Sequence, residues 1–134
     1  MPNKEEIIQF LESEFPQFIY TIDAVGDKKS SLRHSPSDND LRPGGTLSGP
    51  ALFALADAAL YVAILGEIGI IALAVTTNIN INFLRKPSPN HDLIAHCTLI
   101  KVGKTLAVGE VSLYSEGQDA PIAHAVGTYA IPRK

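Results

Sequence analysis

The chain is poor in the residues that build several common kinds of site. Among its 134 residues there is one cysteine, Cys97, one methionine and no tryptophan. A single cysteine excludes an intrachain disulfide framework and a thiolate zinc site, and makes a reducing, cytoplasmic setting the expectation. Charged residues make up only 19% and the net charge is -3. That leaves no basic field to hold nucleic acid by its phosphates. The four histidines, His34, His91, His96 and His124, are too scattered in the chain to suggest a metal site. A nucleotide-binding glycine loop and a Gly-x-Ser-x-Gly elbow are both missing. The opening MPNKEEIIQFLESEF is acidic and lacks the parts of a secretory signal.

What the chain does have is enough apolar material, 46%, for one sizeable core. Its length implies a single domain over 1–134. Asn3 fits as the cap of an N-terminal helix within 1–15, with Glu5 and Glu6 in its first turn. Ile7, Ile8, Phe10, Leu11 and Phe15 give that helix an apolar face, and Pro16 ends it. Residues 18–24 read as a strand, Gly26-Asp27 as a turn, and residues 30–34 as the returning strand. Residues 35–48 form the one long loop, a length that is often functional in a small domain.

The main helix is predicted over 49–67. Ser48 or Gly49 fits its cap, Pro50 its first position, and Gly66 and Gly69 its end. It is apolar on nearly every side, the pattern of a buried helix. It is also long enough to span a bilayer, but an aspartate at mid-helix costs roughly 3 kcal/mol there. Asp57 and Glu67 therefore favour a soluble core and no membrane partner. Four strands follow. In the first, Val75, Thr77, Ile79, Ile81 and Phe83 alternate with Thr76, Asn78, Asn80 and Asn82, which puts the asparagines on the face away from the helix. This strand and those over 93–102, 106–114 and 122–131 are joined by turns too short for crossover helices, so an antiparallel meander of all four is expected. Ala123, Ala125 and Gly127 share one face of the last strand and leave room for a helix close against it. The fold class is α+β, one long buried helix wrapped by an antiparallel sheet.

Asp57 is the residue that most needs explaining. It is the only charged group between Arg42 and Glu67, and its helical neighbours are Pro50, Phe53, Ala54, Leu60, Tyr61 and Ile64. A carboxylate in such company is desolvated and needs a partner or a task. The second candidate is the start of the same helix, Gly44-Gly45-Thr46-Leu47-Ser48-Gly49-Pro50, whose free N–H groups could hold an oxyanion. Eight residues, roughly 12 Å of helix, separate Gly49 from Asp57. Part of any shared site must then come from elsewhere. Arg85, Lys86, Lys101 and Lys104 lie at strand ends and turns, where they could meet phosphates. Cys97, in mid-strand, reads as a small core residue.

The runs GGTLSGPALFALADAA, TTNININFLRKP, IKVGKTLAVGEVSLYSEG and IAHAVGTYAI, within residues 15–131, resemble the hotdog-fold acyl-CoA thioesterases of the phenylacetate-degradation type. The resemblance implies a hotdog fold. It implies a site shared across a homodimer or homotetramer, and an acyl-CoA substrate with no cofactor beyond the coenzyme A it carries. Asp57 matches the family's nucleophile or general base. Gly49 matches the glycine whose amide polarises the thioester carbonyl. Thr76 sits where a hydroxyl residue of the partner subunit holds water. Ser48 stands where the family has histidine, Pro50 replaces a second glycine, and Arg42 replaces an asparagine. Arg42 could instead grip an anionic acyl group or a phosphate. Phe53 and Tyr61 would line the acyl site, and Arg85, Lys86 and Lys104 would face coenzyme A. The alternative is a non-catalytic hotdog protein that binds acyl-CoA or a related ligand.

Overall fold

The structure, a computed structural model, describes residues 2–37, 40–42, 46–71 and 73–132. It runs α1 (Lys4–Glu14), β1 (Thr21–Gly26), β2 (Lys29–His34), β3 (Leu41–Arg42), β4 (Thr46–Leu47), α2 (Gly49–Ile68), β5 (Val75–Phe83), β6 (Leu93–Val102), β7 (Leu106–Ser115) and β8 (Ala123–Ala130). Asn3 caps α1 in a reciprocal box with Glu6, satisfying two otherwise orphaned amides. Ile7 and Leu11 carry the helix into the core. The Ser48 hydroxyl accepts from the Ala51 amide at 3.1 Å and caps α2, Pro50 occupies its first turn, and Gly69 (φ 105°) ends it.

Six strands form one antiparallel sheet in the order β1-β2-β6-β7-β8-β5, and α2 lies across it. This is the hotdog arrangement. Leu52, Leu55, Leu60, Ile64 and Leu65 of α2 are almost wholly buried. Leu60 sits in a dent made by two glycines paired across strands, Gly109 of β7 and Gly127 of β8. A Cβ on Gly127 would lie 2.5 Å from Leu60 Cδ1, and one on Gly109 2.8 Å from Leu60 Cδ2. The small-residue face expected on the last strand is therefore real. Gly109 is the half of the dent that period-two reading of β8 alone could not supply.

Three expectations need correction. The late strands are not a four-strand meander. Only β6-β7-β8 run consecutively, and β5 pairs with β8 as the sheet's outer strand. The nine-residue link from Leu84 to Asp92 crosses the sheet's end without a helix. It is tied down where the amides of Leu84 and Arg85 donate to the Ile122 carbonyl and that of Ser88 to the Ser115 hydroxyl. The first hairpin turns at Asp27-Lys28, not Gly26-Asp27. Both residues have positive φ, 54° and 63°, as a two-residue turn matched to strand twist requires. The Lys28 amide donates to Glu67 and its carbonyl accepts from Leu99, which holds that turn in place. Finally, β1 starts at Thr21, so Phe18 and Tyr20 are off the strand, where they serve another purpose.

Candidate active site

Asp57 lies where the buried and open faces of α2 meet. Leu60, Tyr61 and Ile64 are buried on one side, while Pro50, Phe53 and Ala54 are open on the other. The carboxylate is half-buried, and one of its oxygens is held by the fold. Oδ1 accepts from the Thr76 hydroxyl at 2.7 Å and the Tyr129 hydroxyl at 2.6 Å. Oδ2 accepts nothing among the described residues and is left for chemistry.

Thr76 reaches Asp57 because of a bulge. Thr76 pairs with Tyr129 and Asn78 with Thr128, so Thr77 is an extra residue in β5. Simple alternation put Thr76 on the outer face with the asparagines. The bulge turns it to the helix side while Asn78, Asn80 and Asn82 stay exposed on the other. Within the chain, the Thr76 hydroxyl thus bonds the acid of α2.

Tyr129 is a functional candidate that sequence reasoning missed. It continues the inward face of Ala123, Ala125 and Gly127 by one more step of two, and that alternation was the available signal. Its ring stacks on Tyr61 with centroids 6.0 Å apart. Burial, then the bond to Asp57, pushes its hydroxyl far above the ordinary phenol value, so it remains a donor. Burial raises Tyr61 to about 12, and Tyr61 donates to the Ile71 carbonyl. The Tyr129 hydroxyl orients the carboxylate, and neither phenol competes with it as a base.

A cavity of about 460 Å³ opens beside Asp57. Tyr61 lines it, with Ala54 and Ala58 of α2. Leu11, Phe15, Phe18 and Tyr20 close another side. Phe53 is 39% exposed on the open face of α2 and is not part of this cavity.

Gly49 starts α2 with the Phe83 ring laid on it; a Cβ there would come within 3.3 Å of Phe83 Cζ. The Ser48 hydroxyl is engaged as the helix cap. The loop before it is pinned: Asp40 accepts from the Ser37 amide at 2.8 Å and pairs with buried His34 at 2.7 Å, and its carbonyl receives the Ser48 amide. Burial alone would raise the Asp40 carboxyl, but the Ser37 amide and His34 outweigh it and hold it below the ordinary value. Gly44 and Gly45 lie outside the described residues. Arg42, on β3, is exposed with no hydrogen bond or ion pair among the described residues. Arg85 donates to the Pro121 carbonyl beside exposed Lys86, at the end of β5 near Gly49. Lys104 stands at the opposite end of the sheet, in the β6–β7 turn, beside Ile68 and Ile131. One chain therefore does not gather these three cations around one ligand. Buried Cys97 is a core residue, and burial raises its thiol to about 12.

Residues 44–122 match the profile of the thioesterase superfamily. The chain belongs to that superfamily. A proposed thioesterase from Silicibacter sp. TM1040 is 44% identical and superposes with a TM-score of 0.89, over 98% of this chain and 92% of that one. A thioesterase-like protein of Streptococcus pneumoniae, whose structure contains coenzyme A, gives 0.82 at 18% identity, over 93% and 96%. The PaaI protein of the Escherichia coli phenylacetic acid degradation operon gives 0.79 at 20% identity, over 92% of each chain. The last two likenesses are of fold. No curated protein matches this sequence.

Proposed function

We propose that this thioesterase-superfamily protein hydrolyses an acyl-CoA thioester, with Asp57 as general base or nucleophile. The carrying observation is the Asp57 carboxylate itself. It is oriented through Oδ1 by two hydroxyls, with Oδ2 unbonded among the described residues and a cavity alongside. As base, Oδ2 takes a proton from water as the water oxygen attacks the carbonyl carbon; the C–S bond then breaks, and the coenzyme A thiolate takes up the proton. As nucleophile, Oδ2 attacks the carbonyl carbon and the C–S bond breaks, expelling the coenzyme A thiolate; water then hydrolyses the resulting anhydride, which releases the acid, restores the Asp57 carboxylate and supplies the proton that the thiolate takes up. Either route needs an oxyanion donor. The Gly49 amide is the proposed donor, at a helix start where partial positive charge gathers.

Gly49 and Asp57 of one helix are too far apart to meet one carbonyl, so the reading requires a homodimer in which Gly49 of one protomer faces Asp57 of the other. β5 supports this. It is a nine-residue outer strand whose far edge pairs with nothing among the described residues, with Val75 55% and Phe83 53% exposed. Arg42, Arg85 and Lys86, near the helix start, are the proposed phosphate contacts.

A second reading, a non-catalytic acyl-CoA-binding protein, is favoured by one observation: Ser48, in place of the family histidine, is engaged in capping α2. Coenzyme A release from short, aromatic and long acyl-CoAs separates the two. Release above background that depends on Asp57 supports hydrolysis; saturable binding without release supports the second reading. Light scattering at micromolar concentration checks the assembly, and a 14.4 kDa monomer would remove the shared site.

A further inference from the structure

The cavity beside Asp57 has an origin that the superfamily match does not cover. The matched segment is 44–122, yet Leu11, Phe15, Phe18 and Tyr20 form one side of the cavity. This wall is built by the chain's own first 20 residues. It is also firmly mounted. Ile7 and Leu11 anchor α1 in the core, Phe15 packs edge-on against Tyr61 at 5.8 Å, and Phe18 against Tyr20 at 5.3 Å. Tyr20 in turn packs edge-on against His34, which is fixed by Asp40.

A second cavity, of about 110 Å³, shares Leu11, Phe18 and Tyr20 with the first. These three side chains are the partition between the two spaces. Leu11 is committed to the core and Tyr20 to the stack on His34. Phe18 packs edge-on against Tyr20, is only partly buried against the core, and is the removable member. At about 30 Å³ per water, the second cavity holds roughly four such volumes, room for a few more carbons.

Resting on the thioesterase reading of this site, we propose that Phe18 is the floor of the acyl pocket and limits the length of acyl group that the protein accepts. The acyl group is of an uncharged, apolar class. Asp57 is the only charged residue among the described residues lining the main cavity, and Glu12 the only one lining the second, so a carboxylate-bearing acyl group placed there would face a like charge.

The test separates binding from hydrolysis. Thioether analogues of acyl-CoA, with straight or phenyl-terminated chains, cannot be hydrolysed. Their dissociation constants are measured by calorimetry for the wild type, Phe18→Ala and the milder Phe18→Leu, with thermal unfolding as the folding control. In the wild type, affinity should rise with chain length and then stop rising. Phe18→Ala should move that limit outward by a few carbons, and Phe18→Leu should move it less. Each newly buried methylene is worth about fourfold in affinity, so the longest accepted analogues should gain about tenfold or more. A carboxylate-terminated analogue should bind at least about tenfold more weakly than its methyl-terminated equivalent. An unchanged length profile in the folded variants, or no binding of any analogue, overturns the proposal. Coenzyme A release is followed on matching thioesters. Release with an unchanged profile leaves hydrolysis standing and removes Phe18; a shifted binding profile without release does the reverse.

Discussion

Replacing Asp57 with asparagine tests the site most directly, because the structure predicts how the new side chain will sit. Both hydroxyl donors, Thr76 and Tyr129, land on Oδ1. The amide oxygen of the asparagine can take that place, which puts its NH2 group where Oδ2 accepted nothing, and no donor faces another. Two charge-assisted bonds become neutral ones, a loss of about 1 kcal/mol each, or about 2 kcal/mol in all. Removing a half-buried charge offsets part of this. An unfolding entropy of about 2.1 cal/mol/K per residue makes 1 kcal/mol worth about 3.5 °C in a chain of this length. The melting temperature should therefore fall by no more than about 7 °C at fixed protein concentration. Activity should fall by about 100-fold or more, the scale for losing a general base or nucleophile. Asp57→Ala should be worse for stability, because Tyr129, at 4% exposure, loses its carboxylate acceptor and keeps only the longer contact to the residue 57 carbonyl, 3.2 Å in the wild type. That cost is about 1–3 kcal/mol. The assays are coenzyme A release and thermal unfolding on the same samples. An Asp57→Asn protein that keeps activity within about tenfold of wild type, or that fails to fold, would refute the assignment of Asp57 to chemistry.

Gly127→Ala drives a Cβ into Leu60, which is fully buried and cannot yield. It should cost about 1–3 kcal/mol, read by thermal unfolding as a drop of roughly 3–10 °C. Asp40 is held below its ordinary value in the folded state, so its pairing contributes stability above the unfolded carboxyl value of about 3.9, and that stability is lost as pH falls through the lower folded value. Asp40→Asn should therefore be less stable than wild type at about pH 6, with the gap closing below about pH 4, measured by denaturant unfolding at a series of pH values. Cys97, buried and raised to about 12, should not react with a thiol reagent in the folded protein and should react at once in denaturant.

Local chemistry alone settled much of this protein. The Asn3 box, the Ser48 cap and Gly69 end two helices within a residue or so of where the sequence places them, because capping depends on side chains two or three positions away. The apolar surround of α2 marked it as buried, and the single carboxylate within it marked Asp57. The shared face of Ala123, Ala125 and Gly127 announced a close helix.

Three features were decided only by the tertiary structure. Which strand lies beside β5 depends on closure of the whole sheet, and turn lengths say nothing about a partner so distant in the chain. The bulge at Thr77 reverses the face of Thr76, since one extra residue flips a period-two pattern, and it is this reversal that completes the bonding of Asp57. The wall of Phe15, Phe18 and Tyr20 comes from a segment with no regular period. It meets Asp57 only because α1 packs against α2 and β1, a contact that no local pattern encodes.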